Sequence, residues 1–347
     1  MPASSQQLLF SICIPVRNDL KNLRRCLSAL AKQSLPDCEI LVCDDGSTQP
    51  LTPSDLQETK ARFTLVRQKG QGPSVARNHL ARIAHGKHLF FMDADTVASD
   101  GLIQKTKQVI SEEPEIPVFY GSYDDEPDSP TLVSAYRNLL HHYTHHQSAR
   151  KMERVSTFWC GCGVIRRELY LKFGGLSEAY DTPSIEDIEL GTRLAADGIP
   201  IRIFPQIQVK HLKKWTVANW LYTDLFRRGI PWVRLMRASK HWSNQLNFSW
   251  SQRIASLAAV TFVMSIPLTI WKPLFGASGV ASLAVFLTLN WPFIDLIRRK
   301  RGISASLSVI PLHLAYALVC VLSVAAALLY PPLKLPPTQE LRPLLEP

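Results

Sequence analysis

No repeated spacing links the seven cysteines of this 347-residue chain, Cys13, Cys26, Cys38, Cys43, Cys160, Cys162 and Cys320. An odd, aperiodic set argues against a disulfide framework and for a reducing compartment. No secretory leader is expected either. Residues 1–7 are polar, and the first apolar run, Leu8–Val16, is short and has no basic flank before it. Residues 8–20 hold a single basic side chain, Arg17, where a nucleotidyltransferase would need a basic phosphate loop. Acids are scarce between Lys210 and Arg253. Asp224 stands alone there against nine Lys and Arg, and five of the eight tryptophans share the segment. The net charge of +10 fits either nucleic acid or an anionic membrane. Its distribution, basic residues mixed with Trp just before an apolar region, describes a membrane interface and no nucleic-acid partner.

The first 210 residues alternate strand-like and helix-like segments. Leu8–Val16 reads as a buried strand, and Asp19 can cap a helix carrying Leu20, Leu23, Leu27 and Leu30 at helical spacing. Glu39–Cys43 and Phe63–Val66 read as further strands. A turn at Gly70-Gln71-Gly72-Pro73 opens a helix to about His85, and His88–Met92 is another apolar strand. This alternation predicts an α/β domain with a mostly parallel sheet covered on both faces. Ligands of such sheets bind beyond the carboxyl ends of the strands. Asp44-Asp45-Gly46-Ser47 and Asp93-Ala94-Asp95 both stand at ends of that kind.

Three apolar stretches follow, at about Ile254–Trp271, Val280–Ile297 and Ser306–Leu329. Each is long enough, or nearly so, to cross a hydrocarbon core of roughly 30 Å. Pro267 and Pro292 are tolerable in membrane helices. Arg298-Arg299-Lys300-Arg301 belongs on the cytoplasmic side, together with the basic segment before the first stretch. Lys272–Gly279 and the chain after Leu329 then face the other side. The competing reading is three buried helices of a large soluble domain. The expected organisation is a catalytic domain at 1–212, basic Trp-rich interfacial helices at 213–252, three transmembrane helices at 253–331 and a Pro-rich tail at 332–347.

Two carboxylates flanking one small residue, Asp93 and Asp95, suit a hard divalent ion that keeps positions open for phosphate. A solvated, helix-capping turn is the bland alternative. Asp45 can accept hydrogen bonds from a base or ribose, or simply form an Asp-Gly turn. Backbone N–H groups of Gly70–Asn78 and the Arg77 guanidinium can face an anion, or open an ordinary helix. Ser184 with Asp187 three residues on resembles a capping box. Asp187 also suits a general base that takes the proton of an acceptor hydroxyl.

The ordered set is specific. Ile14-Pro15-Val16-Arg17-Asn18, Asp44-Asp45-Gly46-Ser47, Gly72 to Asn78, Asp93-Ala94-Asp95, Gly174-Gly175-Leu176 and Glu186-Asp187 resemble a family 2 inverting glycosyltransferase over roughly residues 8–215. The resemblance implies a GT-A fold, the Rossmann-like nucleotide-diphospho-sugar transferase domain, followed here by an all-α membrane region. It implies a hexosyltransferase type of activity, with Asp45 at the nucleobase, Pro15 and Arg17 lining the same pocket, Arg77 toward the donor and Asp93 near the ribose or sugar. Asp95, with Asp93, would ligate Mg²⁺ or Mn²⁺, and Asp187 would be the catalytic base. His211-Leu212-Lys213-Lys214-Trp215 extends the match. His211 resembles the histidine that joins the metal site in non-processive relatives, and Lys213 or Lys214 would steady the diphosphate.

Processive relatives carry Gln and Arg where this chain has His211 and a lysine, which argues against polymer synthesis, although a subunit of a processive polysaccharide synthase is an alternative. Trp159, Glu186 and Trp215 are candidates for the acceptor side. The expected partners are a UDP- or GDP-sugar donor, a lipid-linked or glycolipid acceptor whose hydroxyl or phosphate takes the sugar, and the cytoplasmic membrane. The chain would be multi-pass there, with its catalytic domain facing the cytoplasm. A membrane scaffold that merely binds nucleotide is the rival from another class. His141, His142, His145 and His146 read as a solvated or acceptor-facing helix rather than a metal site, and Cys160-Gly161-Cys162 lacks the second pair that zinc would need.

Overall fold

The computed structural model describes residues 8–151, 154–239, 249–331 and 333. Residues 240–248 of the expected interfacial segment, residue 332 and the expected tail from 334 onward lie outside the described residues. The chain divides into two compact units. One takes residues up to Asp128 and His145–Lys213; the other takes Ser129–Thr144 and Lys214–Leu335. Ser129–Thr144, inside the domain drawn at 1–212 from sequence, therefore groups with the apolar helices.

The first unit is built on one eight-stranded sheet. In chain order its strands are β1 (Phe10–Val16), β2 (Cys38–Asp45), β3 (Thr64–Gln68), β4 (His88–Met92), β5 (Thr96–Ala98), β6 (Val118–Tyr123), β7 (Cys162–Arg166) and β8 (Ile201–His211). Their order across the sheet is β3-β2-β1-β4-β7-β6-β8-β5. Pairs β1–β2, β2–β3, β1–β4 and β6–β8 are parallel, while β4–β7, β6–β7 and β5–β8 are antiparallel. The sheet is thus mixed, where strand–helix alternation predicts a mostly parallel one. The alternation is interrupted after β4. Only Asp93-Ala94-Asp95 separates β4 from β5, far too short for a parallel crossover, and β5 pairs with β8 at Thr96↔His211 instead.

Helices α1 (Leu20–Leu30) and α2 (Pro73–Ile83) cross between the parallel strands. Asp19 caps α1, its Oδ1 accepting from Asn22 N at 3.3 Å, as its sequence position predicts. Leu23, Leu27 and Leu30 pack with Ile12, Ile14, Phe90 and Met92 in the core. Full burial of such a side chain stabilises by roughly 1.5–3 kcal/mol. The core holds the carboxyl ends of β1, β2 and β4 in register. Helices α3 (Leu102–Glu112), α5 (Arg167–Lys172) and α6 (Glu186–Ala196) complete this unit, and α4 (Leu132–Lys151) contributes its end from His145 onward.

In the second unit, α7 (Val217–Tyr222) passes through a π-helical stretch, Thr223–Gly229, into α8 (Ile230–Ser239). Among the described residues two helices follow that are long and apolar enough to cross a membrane, α9 (Trp250–Leu268) and α10 (Pro273–Leu329). Helix α10 is broken at Gly302, whose φ of 85° and ψ of 174° are non-helical, directly after the Arg298–Arg301 run. Many large apolar side chains on α9 and α10 are exposed, Leu257 and Val280 among them. Polar groups turn inward: Tyr136 Oη lies 2.9 Å from His313 Nδ1, and His313 Nε2 lies 2.9 Å from Asn290 Oδ1.

Two sequence readings are corrected here. Trp215, a candidate for the acceptor, is buried, with the Arg137 guanidinium 5.6 Å from its ring centroid and its backbone N donating to Ser134 Oγ. His142 and His145 are buried rather than solvated. His145 Nδ1 lies 3.1 Å from the Gly121 carbonyl, and its ring meets Tyr120 and Trp159 edge-on. Flat aromatic rings carry more apolar surface than their polar atoms suggest, and helix periodicity alone does not show which face packs.

Candidate active site

The acidic end of β2 and the glycine turn before α2 form one unit. Asp44 is fully buried and closes its own loop, its oxygens accepting from Ser47 N at 2.9 Å and Leu51 N at 3.1 Å. Asp45, expected at a nucleobase, directs its carboxylate to the turn. It accepts from Gln71 N, Gly72 N and Gln68 Nε2, each at 2.9 Å. Gly46 is left-handed at φ 70°, and a Cβ there would stand 2.3 Å from Gly70 N, so the two backbones meet where no side chain fits. The exposed Arg17 lays its guanidinium against Gly70, and Pro15, half-buried, precedes it at the end of β1.

The turn after β4 sends its two carboxylates to different partners. Thr96 closes it, donating from both N and Oγ1 to the Asp93 carbonyl. Asp93 Oδ1 then meets Arg77 Nη2 at 2.6 Å, and Arg77 Nη1 lies 3.3 Å from Glu186 Oε1. Arg77, expected to face a donor anion, is instead buried among acids. Glu186, an acceptor candidate, is buried too, its Oε2 accepting from Ser184 N at 2.8 Å. Helix α6 begins at Glu186 with Ile185 as N-cap, so the capping box read at Ser184 does not form. Glu186 reaches back to the Ser184 N–H while Asp187 is drawn elsewhere.

Asp187 is largely buried at the first turn of α6, and its oxygens accept from Cys160 N at 3.2 Å and Ile188 N at 2.8 Å. Burial pushes its carboxyl up to about 7, and the Glu186 charge beside it adds to the shift. The Cys160 N–H, the Arg77 charge and the Ile188 N–H work the other way. A carboxyl poised there is half-ionised near neutrality, which suits proton abstraction.

Asp95 lies with His211. Nε2 of the imidazole is 3.6 Å from Asp95 Oδ2, and Leu212 N donates to the Asp95 carbonyl at 2.8 Å. Burial alone would raise the Asp95 carboxyl, but the His211 contact and the Lys213 charge hold it below the usual range. Tyr123 stacks on His211, centroids 4.3 Å apart and planes at 11°, and Trp159 meets Tyr123 edge-on at 4.8 Å. Trp159 keeps part of its surface accessible. Among the described residues no cluster of three or more His, Cys, Asp or Glu is arranged to hold a metal. The carboxylate and imidazole of Asp95 and His211 still fit a divalent ion, because an open site takes its remaining oxygens from phosphate and water. Asp93 is engaged by Arg77 and is not part of that pair. Lys214 is exposed and falls, with Trp215, in the second unit.

Sequence reasoning placed Asn78 in a motif but gave its side chain no role. This fully buried side chain donates to the Leu176 carbonyl and to Glu178 Oε1, both at 2.9 Å. It accepts from Tyr170 Oη at 2.6 Å and Leu176 N at 3.0 Å. The left-handed pair Gly174 and Gly175 is thereby fastened to α2. The available signal was the adjacency of Arg77 and Asn78, which aim from neighbouring positions of one helix at two separate motifs.

Residues 11–174 match the family model described as glycosyl transferase family 2. The chain is 29% identical over 236 residues to a validoxylamine A glucosyltransferase of Streptomyces hygroscopicus subsp. jinggangensis, covering 58% of this chain and 54% of that protein. It is 27% identical over 198 residues to an uncharacterized glycosyltransferase of Haemophilus influenzae, covering 54% and 62%. The chain therefore spans little more than half the length of these curated relatives. In fold it is similar to S. aureus TarS 1–349 in complex with UDP-GlcNAc, with a TM-score of 0.51, 16% identity, and 92% of this chain and 90% of that one covered.

Proposed function

We propose, for a chain whose residues 11–174 match the glycosyl transferase family 2 model, a metal-dependent inverting transfer of a sugar from a nucleotide-diphosphate donor to a hydroxyl of a membrane-associated acceptor. The observation that carries the reading is the Asp187 carboxylate held at the first turn of α6 by Cys160 N and Ile188 N, in the same unit as the loops joined by Asp45. Asp187 takes the proton of the acceptor hydroxyl, and the oxygen attacks the anomeric carbon from the face opposite the diphosphate. The carbon–oxygen bond to the diphosphate breaks as the new bond forms, with inversion. Asp95 and His211 would hold Mg²⁺ or Mn²⁺, whose chemistry is to neutralise the departing diphosphate, and Lys213 adds charge beside Asp95.

The environment of Asp187 favours a hydroxyl over a phosphate acceptor. A hydroxyl must lose its proton, whereas a phosphate is already an anion and would meet the Glu186 and Asp187 charges. The nucleotide is a UDP or GDP type, the donors of the family the sequence resembles. Trp159 offers a partly accessible ring on which an acceptor sugar can stack. The two apolar helices support a membrane-associated acceptor, and the Arg298–Arg301 run supports a cytoplasmic catalytic unit.

The test is a screen of UDP- and GDP-sugars with the purified full chain in detergent, with Mg²⁺ or Mn²⁺, reading released nucleotide diphosphate. Turnover with one donor, lost in Asp187→Asn, supports the reading. Binding of nucleotide without turnover of any donor supports a scaffold instead.

A further inference from the structure

We propose that Arg77 is a positioning residue that holds the strand end carrying Asp93 and the helix start carrying Glu186 together, and so sets the position and charge balance of Asp187. The proposal rests on Asp187 being the base. Arg77 comes from α2, yet its two terminal nitrogens reach Asp93 at 2.6 Å and Glu186 at 3.3 Å, the second 109 residues away in sequence. Arg77 is 5% exposed and Glu186 is equally buried, so their ion pair is shielded from water, while Asp93 keeps part of its side chain accessible.

Two acidic side chains, Asp93 and Glu186, pair with this one cation, and the neighbouring Asp187 feels its charge. The groups that face Asp187 are Glu186 beside it on α6, Arg77 from α2, and Cys160 and Tyr120 from the elements packed against it. Cys160 and Tyr120 are buried neutral groups whose own ionisation is pushed far upward by burial. The charge that Asp187 feels is therefore the Glu186 carboxylate offset by the Arg77 guanidinium. Taking Arg77 away leaves Glu186 uncompensated next to the base. It also frees the start of α6, since Glu186 is the residue that Arg77 grips there. The fork matters as well as the charge: a lysine brings one ammonium and cannot seat both carboxylates in the same geometry.

The experiment is the pH profile of kcat/KM for the acceptor at saturating donor, for the full chain in detergent, with thermal melting as the check of folding. Arg77→Gln should move the acid limb upward by about one pH unit, with a roughly tenfold loss on the acid side. Arg77→Gln/Glu186→Gln should bring the limb back toward that of the unmodified protein, because the uncompensated charge is gone. Arg77→Lys should keep the limb close to its original position and lower kcat.

A limb that stays put in a folded Arg77→Gln, with kcat lowered equally at every pH, overturns the proposal. If Arg77→Gln does not fold, Glu186→Gln alone decides: the limb should fall below that of the unmodified protein, and an unmoved limb overturns the proposal. Asp187→Asn separates this failure from that of the premise. Near-normal turnover in Asp187→Asn refutes the base itself, whereas an inactive Asp187→Asn beside an unmoved limb in the Arg77 variant refutes only the role of Arg77.

Discussion

His211 Nε2 stands 3.6 Å from Asp95 Oδ2, with the ring of His211 held parallel to that of Tyr123. The two rings meet because β6 and β8 are parallel neighbours that end side by side, Tyr123 pairing with Val209. If this pair holds the ion, chelation should stop transfer and added Mn²⁺ should restore it. Asp95→Ala and His211→Ala should each raise the Mn²⁺ concentration for half-maximal binding by at least about tenfold. Calorimetric titration of Mn²⁺ with a nucleotide diphosphate present measures this. Unchanged Mn²⁺ affinity in both variants would remove the pair from the metal.

Asp187 is also a stability prediction. Its folded carboxyl sits at about 7, above the ordinary value near 3.8 expected when unfolded. Between those values the native state holds a proton that the unfolded chain has released, so stability falls as pH rises through that window. The difference in Tm between Asp187→Asn and the unmodified protein should therefore move in favour of the variant from about pH 4 to about pH 7 and level off above. Melting curves across pH check it, and a difference independent of pH contradicts the shift.

Removing Asn78 should cost stability rather than chemistry. Asn78→Ala would leave Tyr170 Oη and both backbone groups of Leu176 without these partners in a buried place. The expected loss is on the order of 2–4 kcal/mol, measured by denaturant unfolding in detergent. A loss below about 1 kcal/mol would mean that the Gly174–Leu176 turn is held by other contacts.

The two tryptophans should behave differently. Trp159→Ala should raise the acceptor KM several-fold with little change in Tm. Trp215→Ala should lower Tm, since it empties a buried site against Arg137 and Ser134. Steady-state kinetics and melting of both variants test the distinction, and a Trp215 variant with unchanged Tm would count against its core role.

Gly46→Ala forces a Cβ to 2.3 Å from Gly70 N on a backbone at φ 70°. The β2 loop and the glycine turn must then separate. Nucleotide diphosphate affinity should fall by about tenfold or more, read by the same titration. Unaltered affinity would place the nucleotide away from these loops.

Much of the site was legible in the sequence because motif residues sit where the backbone changes direction. Apolar runs such as His88–Met92 end at the carboxyl edge of a sheet, so Asp93-Ala94-Asp95 had to stand at that edge. Which side chain each acid would meet was not legible. Asp93 and Asp95 are two residues apart, yet one goes to Arg77 and the other to His211. The cap at Ser184 failed for a similar reason: Glu186 took the Ser184 N–H while Asp187 was turned to Cys160.

The sequence by itself determined the strand ends, the order of the acidic and glycine motifs, the resemblance they carry and the apolar character of the last helices, since these follow from local periodicity and residue chemistry. Tertiary structure alone decided the mixed pairing of the sheet, the burial of Trp215 and His145, and the meeting of Asp93 and Glu186 on Arg77. Those depend on distances between segments far apart in the chain, and on the competition of each buried polar group for a partner, neither of which a local pattern encodes.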